Sequence, residues 1–264
     1  MRVATFNIHA GVDGWGRRQD AVAVAVALEA NLLFVQELWR GEFDDQVVDL
    51  TSGSLRLVGE VPLSQCERVT GARGGRGWQS PLALLRGDSG LFFSERVPLS
   101  ARRQRERGAA VGVETGTWGV GLFTDLEVVS SEIIHLPQLR RDKSRRAVIV
   151  ARLRDSSHEF YALAIHGAHL SHGSLVQYRF LQTLIDGLDP LPMILAGDFN
   201  CWRPLLRCVL PQWRSAVRRR TWPAWAPHSQ IDHILLRGSW RVAGARSVNG
   251  PSDHRGLVAD LHWT

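Results

Sequence analysis

Apolar runs too short to be helices recur along this chain, and several of them end on a side chain able to do chemistry. Residues 2–8 and 32–36 are β-rich apolar runs. The Ala/Val-rich segment from Asp20 to Ala30 between them has the length of one amphipathic helix, so the chain opens as β-α-β. Further strands are predicted at 90–94, 120–129, 146–153, 160–166, 192–196, 231–236, 240–247 and 256–262. A second helix is predicted from Leu175 to Leu188, with Ser174 in the N-cap position and Asp189-Pro190 closing it. Strands outnumber helices, and the strands 146–153 and 159–166 are joined only by a polar Asp-Ser-Ser-His turn. That pattern excludes a simple doubly wound sheet and fits two stacked mixed sheets. No internal repeat is evident. Two stretches lack the pattern: residues 68–80, rich in Gly and Arg, read as a flexible loop, and residues 101–107 form a short basic run. Both read as solvated surface, with a grip on a polyanion as the alternative.

The chain of 264 residues, 44% hydrophobic and 22% charged, has ordinary globular composition and suffices for one large core, read here as a single domain over 1–264. No apolar run approaches the ~20 residues that span a bilayer. No secretory signal follows Met1-Arg2. Cys66, Cys201 and Cys208 are sparse, odd in number and without CxxC spacing, which argues against a disulfide framework or a structural zinc site and makes a reducing cytoplasm the expected location. A net charge of +6 and a pI near 10.2 favour an anionic partner without separating nucleic acid from phospholipid. Lys143 is the only lysine, a bias that coding composition explains as well as selection for bidentate phosphate binders does.

Four short motifs give the candidate chemistry: Thr-Phe-Asn-Ile at 5–8, Val-Gln-Glu-Leu at 35–38, Gly-Asp-Phe-Asn at 197–200 and Ser-Asp-His at 252–254, with Ile-Asp-His-Ile at 231–234 between the last two. Each places an acid, amide or imidazole at the end of a strand-like run, where sheets of this kind present their sites. Any one alone is weak evidence, since an Asn or Glu at a strand end usually just closes a turn. In this order, spread over nearly the whole chain, they resemble the endonuclease/exonuclease/phosphatase superfamily, whose members include DNase I, AP endonucleases, inositol-polyphosphate 5-phosphatases and neutral sphingomyelinases.

The resemblance implies an α/β (α+β) fold, a four-layer α/β sandwich with two mixed sheets face to face, helices outside and the site at one end. It implies hydrolysis of a phosphodiester by in-line attack of water with Mg²⁺ or Mn²⁺ as cofactor, Glu37 at the metal, and Asn7 and Asp253 beside it. Asp198 would orient or deprotonate the water and Asn200 would bond a phosphoryl oxygen. Asp232 would fix the tautomer of His254 and favour its protonated form, a cation for the transition state. His166 and His169 both lie at the end of strand 160–166; the resemblance favours His169 as the phosphate-contacting imidazole. His9 and Asp13 are near enough in sequence to touch the metal shell. Arg145 and Arg146 stand where many family members carry an arginine facing the phosphate, although a lone arginine is more often surface. Four tryptophans, 202, 213, 222 and 225, lie near Arg218-Arg219-Arg220. Packing accounts for Trp222, while Trp202 is a candidate substrate-facing ring.

The basic balance makes nucleic acid the first substrate expected. The alternative is a phosphatase or phosphodiesterase acting on phosphoinositide, sphingomyelin or a nucleotide. Against two subgroups stand specific departures: no Tyr at the His166 segment, as AP endonucleases have, and Cys201 intervening before Trp202-Arg203, where 5-phosphatases have an aromatic-Arg pair. A catalytically inactive nucleic-acid-binding module should lack one of Glu37, Asp198, Asn200, Asp232 and His254. All five are present.

Overall fold

The computed structural model describes residues 1–12, 18–70, 93–94 and 112–264. Its elements are β1 (Arg2–Asn7), α1 (Ala21–Val26), β2 (Leu32–Gly41), α2 (Gln46–Leu50), β3 (Arg56–Thr70), β4 (Phe93–Ser94), β5 (Gly112–Thr124), β6 (Glu127–His135), β7 (Ala147–Asp155), β8 (His158–His166), α3 (Leu175–Asp186), β9 (Met193–Asp198), α4 (Arg203–Val209), β10 (Arg214–Ser215), β11 (Asp232–Arg237), β12 (Trp240–Val248) and β13 (Gly256–Trp263). They form a seven-stranded sheet, β12-β13-β1-β2-β5-β3-β4, and a six-stranded sheet, β10-β11-β9-β8-β7-β6. Both are mixed: β1 runs parallel to β2 and β8 parallel to β9, while the other pairings are antiparallel.

The period-2 alternation of strands explains the layering. Along β8, Phe160, Ala162 and Ala164 enter the core between the sheets, while Tyr161, Leu163 and Ile165 face the other way. There they meet Tyr178, Leu181 and Ile185 of α3 and Leu206 of α4. On the other sheet Val3, Leu32 and Phe34 face inward, and Ala4, Phe6, Leu33 and Val35 face outward onto Ala21, Ala25, Val47 and Leu50 of α1 and α2. The result is the four-layer sandwich of the DNase I-like fold. At the inter-sheet face, small Ala151, Ala162, Ala164 and Ala196 sit among Phe34, Trp39 and Phe160. Full burial of each large ring is worth about 1.5–3 kcal/mol, so this mixed-size packing is where truncation is most costly.

Several elements depart from the sequence reading. The strand expected at 120–129 is the junction of two, β5 and β6, which turn back at Asp125 and Leu126 as Thr124 Oγ1 accepts from the Leu126 N–H at 3.1 Å. Strand β3, short helix α2 and helix α4 were not expected. Asp20 does cap α1, accepting from the Ala23 N–H at 2.8 Å, but α1 ends at Val26. Ser174 makes no capping hydrogen bond, and α3 stops at Asp186. The loop expected at 68–80 begins inside β3, where Arg68 is buried against Glu114. Its remainder, the basic run at 101–107, most of the strand at 90–94 and Asp13 lie outside the described residues. Among the described residues no helix is long and apolar enough to cross a membrane.

Candidate active site

The inward alternation that builds the core also builds the site. On β9, Ile194 and Ala196 are core and the next inward position is Asp198; on β8, Ala162 and Ala164 lead to His166; on β11, Leu236 and Ile234 lead back to Asp232. The pairing register puts His166 beside Asp198 and Asp198 beside Asp232, so three ionisable side chains line up across one sheet. From the facing sheet, Val3 on β1 is followed inward by Thr5 and Asn7. The site is the polar continuation of the inter-sheet core at one end of the sandwich.

Two backbone devices turn side chains into this space. The β2–β5 register shifts between Gln36 and Leu38, so Glu37 is an extra, bulged residue, and it sits at φ 55°. Asn200 sits at φ 47°. Non-glycine residues in this region store about 1–3 kcal/mol of strain and cluster at functional sites. Gly197 is required by closeness: a Cβ there would lie 1.9 Å from the Ile165 carbonyl oxygen of β8. Tyr178, from α3, donates its hydroxyl hydrogen to the Phe199 carbonyl and so braces the turn between Asp198 and Asn200.

Asp198 is the hub. Its Oδ2 accepts from Asn7 Nδ2 at 3.1 Å and lies 3.5 Å from His166 Nε2 and 3.8 Å from His254 Nε2, while Oδ1 accepts from the Asn200 N–H at 2.7 Å. His254 Nδ1 is 2.9 Å from Asp232 Oδ2. Asn200 Nδ2 donates to the Gly167 carbonyl at 3.1 Å and lies 3.2 Å from His166 Nε2. Because the amide nitrogen has only hydrogens to offer, His166 Nε2 is the acceptor there and its proton is assigned to Nδ1. His166 Nε2 is also 3.8 Å from Glu37 Oε1. Ser252 Oγ donates to the Asn7 carbonyl at 2.6 Å and accepts from the His254 N–H at 3.2 Å, which ties the Ser-Asp-His turn to the end of β1.

Four buried carboxylates, Glu37, Asp198, Asp232 and Asp253, share this small volume. Burial, then the nearby Asp232 charge, pushes Asp198 up to about 8 against the pull of His254 and the Asn200 N–H. Burial also raises Glu37, opposed first by His9. His254 is pulled down by burial but more strongly up by Asp232, Asp253 and Asp198, so it ends well above an ordinary imidazole and is a cation at neutral pH. His166 goes the other way, held neutral by burial and by Arg146.

Of the expected residues, Asn7, Glu37, Asp198, Asn200, Asp232 and His254 are brought into one cluster, with Asp253 at its edge. Asp253 takes the Trp222 Nε1–H on Oδ2 at 3.3 Å and lies 3.9 Å from His9 Nδ1. The strand register carries His166, rather than the favoured His169, to Asp198. His169 lies three residues on, its ring edge-on to His172 at 5.6 Å, and burial together with Arg146 lowers it to about 3. The two arginines separate: Arg145 is exposed, whereas Arg146 is buried, ion-paired through Nε to Asp142 at 2.8 Å, bonded to the His166 carbonyl at 3.4 Å and placed over Trp118. Trp202 is half-buried and packs on Trp222 and Ile231. Sequence reasoning gave no role to Ser252, Trp118, Asp142 or Tyr178. Only Ser252 carried a signal, its place in Ser-Asp-His.

Two groups here are tight enough to hold an ion, Glu37-His166-Asp198 and Asp198-Asp232-His254, with ligand atoms within 4.8 Å of one another in each. The second is a poor candidate, because His254 is protonated and its Nδ1 is committed to Asp232. The first fits a hard divalent cation: Glu37 Oε2 is buried and has no partner among the described residues, and an excess of carboxylate oxygens surrounds it.

A family model described as the Endonuclease/Exonuclease/phosphatase family matches residues 4–254. No curated protein matches the sequence. Similar solved structures include a functionally unknown conserved protein from Enterococcus faecalis V583, with 16% identity, TM-score 0.66 and both chains covered over 100%. The human Nocturnin catalytic domain with bound sulfate shows 18% identity and TM-score 0.64 over 100% of this chain and 94% of that one. D. rerio TDP2 complexed with single strand DNA product shows 14% identity and TM-score 0.60 over 99% and 98%. At these identities the likeness establishes the fold.

Proposed function

This chain belongs to the endonuclease/exonuclease/phosphatase family, and from that premise we propose that it is a divalent-metal-dependent phosphodiesterase whose substrate is nucleic acid. One observation carries the reading: Asp198, raised to about 8, touches Asn7, the neutral His166, the Asn200 N–H and the cationic His254 at the point where the two sheets meet. A carboxylate poised near neutrality is suited to take a proton from an attacking water. The adjacent imidazolium, held by Asp232, is suited to the charge that grows on the phosphoryl oxygens.

Glu37, with Asn7 and Asp253 beside it, would hold Mg²⁺ or Mn²⁺, and the bound ion would supply Lewis-acid neutralisation of the phosphate. The residues do the rest. Asn7 holds Asp198 Oδ2, leaving Asp198 oriented by two hydrogen bonds and able to accept the water's proton. Asn200, fixed by Gly167, would turn the amide hydrogen it gives His166 Nε2 to a phosphoryl oxygen. Arg146 brings a buried positive charge behind His166, and His169, three residues on, would be a second neutral imidazole near it. For nucleic acid speak the net charge of +6 and the DNA bound by the TDP2 neighbour.

Hydrolysis of plasmid DNA, single-stranded RNA, an inositol phosphate, sphingomyelin and bis-p-nitrophenyl phosphate tests this, with Mg²⁺ or Mn²⁺ against EDTA and against Asp198→Asn. Nicking of DNA by the wild type alone is the expected result. Cleavage of the artificial diester or a small phosphate alone keeps the metal-hydrolase reading and removes the nucleic-acid one. No turnover on any ester overturns both.

A further inference from the structure

The stretch from Cys201 to Ile231 connects β9 to β11, the two strands that deliver Asp198 and Asp232. It contains six arginines, four tryptophans and no Asp or Glu. Elsewhere many arginines are answered by carboxylates, among them Arg2 by Asp260, Arg40 by Asp45 and Glu60, and Arg152 and Arg154 by Glu159. Among the described residues none of the six in this stretch has an ion-pair partner. Arg203 donates to Ser215 Oγ at 2.9 Å and Arg214 to the Trp240 carbonyl. Arg207, Arg218, Arg219 and Arg220 are exposed. Arg203 is held below its ordinary value by burial and by the repulsion of Arg218 and Arg207, so these charges share one neighbourhood. Like charge assembled without counter-charge repels itself, and a bound anion relieves that repulsion.

This patch abuts the site. Thr221, directly after Arg220, accepts from the Ile231 and Asp232 N–H groups at 3.3 and 3.4 Å, and its carbonyl accepts from the Arg255 N–H at 2.9 Å. The Ala224 N–H donates to the Asp253 carbonyl at 2.6 Å, and Arg255 Nε donates to the Ala224 carbonyl at 2.9 Å. The next residue, Trp225, is 48% exposed. Since each residue spans at most about 3.6 Å, the Arg218 backbone lies within about 11 Å of Thr221 and a guanidinium reaches further still. One or two nucleotides cover such distances.

We propose that the Arg218–Arg220 and Trp225 surface is a docking track for a single strand of nucleic acid, gripping the phosphates next to the scissile one and stacking an unpaired base on the Trp225 indole. The single strand follows from the indole. A duplex shows a protein only base edges and phosphates, whereas a half-exposed indole five positions after a run of three exposed arginines matches a base that is unstacked and free to lie flat. The proposal rests on the phosphodiesterase reading above and adds the strandedness of the substrate and the surface that selects it.

Fluorescence anisotropy with the full chain and Mg²⁺ tests it, using a fluorescein-labelled 12-mer with a phosphorothioate backbone that resists hydrolysis, as single strand and as duplex. The single strand should bind at least about tenfold tighter. Trp225→Ala should cost about tenfold on the single strand only. Replacing Arg218, Arg219 and Arg220 together by Gln, which keeps stems and removes charge, should flatten the slope of log affinity against log salt by about 2, at about 0.7 per phosphate contact. Arg152→Gln with Arg154→Gln, at the far end of β7, is the control and should leave both numbers in place. Thermal melting checks that each variant is folded. Equal affinity for duplex, an unchanged salt slope, or binding that moves instead to anionic phospholipid vesicles overturns the proposal. Hydrolysis of bis-p-nitrophenyl phosphate by the wild type keeps the two readings apart. Turnover without oligonucleotide dependence on these residues sinks the track alone, and dependence without any turnover sinks the enzyme reading alone.

Discussion

Arg68 and Asp198 are each 1% exposed, each carried by a strand, and each surrounded by other ionisable groups. Around Arg68 the charges balance. Its guanidinium meets Glu114 and, at 2.7 Å, Asp44, donates to the Ala10 carbonyl at 2.8 Å and lies over the Trp39 ring, while Arg18 adds a second cation 3.7 Å from Glu114. Around Asp198 they do not: four buried carboxylates face one imidazolium, and Glu37 Oε2 has no partner among the described residues. Buried charge by itself therefore does not mark a site. Imbalance does, because a protein keeps uncompensated buried charge only where something else compensates it.

Breaking each cluster at its centre should give opposite phenotypes. Asp198→Asn is expected to lower kcat on any hydrolysed diester by about 10²–10⁴, the range for a general base, while the melting temperature stays level or rises because a buried carboxylate is gone. Steady-state kinetics and calorimetry on the same preparation check both halves. Arg68→Ala is expected to destabilise by about 3–5 kcal/mol, as for a buried pair that loses one partner, with turnover per folded molecule retained. Urea denaturation measures it, and a loss of turnover at full folding would remove the contrast.

Proton linkage sharpens the comparison. Asp198 and Glu37 have folded-state values above their unfolded ones, so the stability they contribute is present below about pH 4 and is lost as pH rises, through about 8 for Asp198. His254, also raised, contributes stability that is lost above its own folded value. His166 is lowered, so its contribution is lost only as pH falls below its unfolded value of 6.5 and is constant above that. Between pH 6.5 and 8 the metal-free protein should therefore become less stable, and the rise in melting temperature on adding Mn²⁺ should grow over the same interval. A metal-induced shift that shrinks with pH would contradict the assignment of Glu37 and Asp198 to the cation's surroundings. The smallest effect is expected outside the cluster: Tyr178→Phe removes one hydrogen bond to the Phe199 carbonyl, about 1 kcal/mol by denaturation, with a modest drop in kcat as the turn loosens.

Legibility in the sequence followed the regularity of the backbone. The ends of β8, β9 and β11 were readable because these strands keep strict alternation up to the residue that matters, so the apolar run points at its own polar terminus. β3 was not readable. It shifts register between Leu57 and Gly59 and again between Pro62 and Ser64, and each bulge resets the alternation. β6 is an edge strand with most side chains exposed, so it carries little hydrophobic signal. Arg68 looked like loop because its counter-charge, Glu114, comes from a different strand, 46 residues away.

By itself the sequence determined the elements that alternate cleanly, the family motifs and the residue types available to the site, since each of these is a local property of neighbouring positions. Tertiary structure alone decided which of them meet. Whether His166 or His169 reaches Asp198 depends on strand register. The aim of Glu37 depends on a bulge in β2, and the rise of Asp198 depends on burial and on Asp232 and Glu37, carboxylates from two other segments converging in one unsolvated volume. Register, burial and charge density are set by contacts between residues as far apart as Asn7 and Ser252, 245 positions along the chain, and no short window contains both partners.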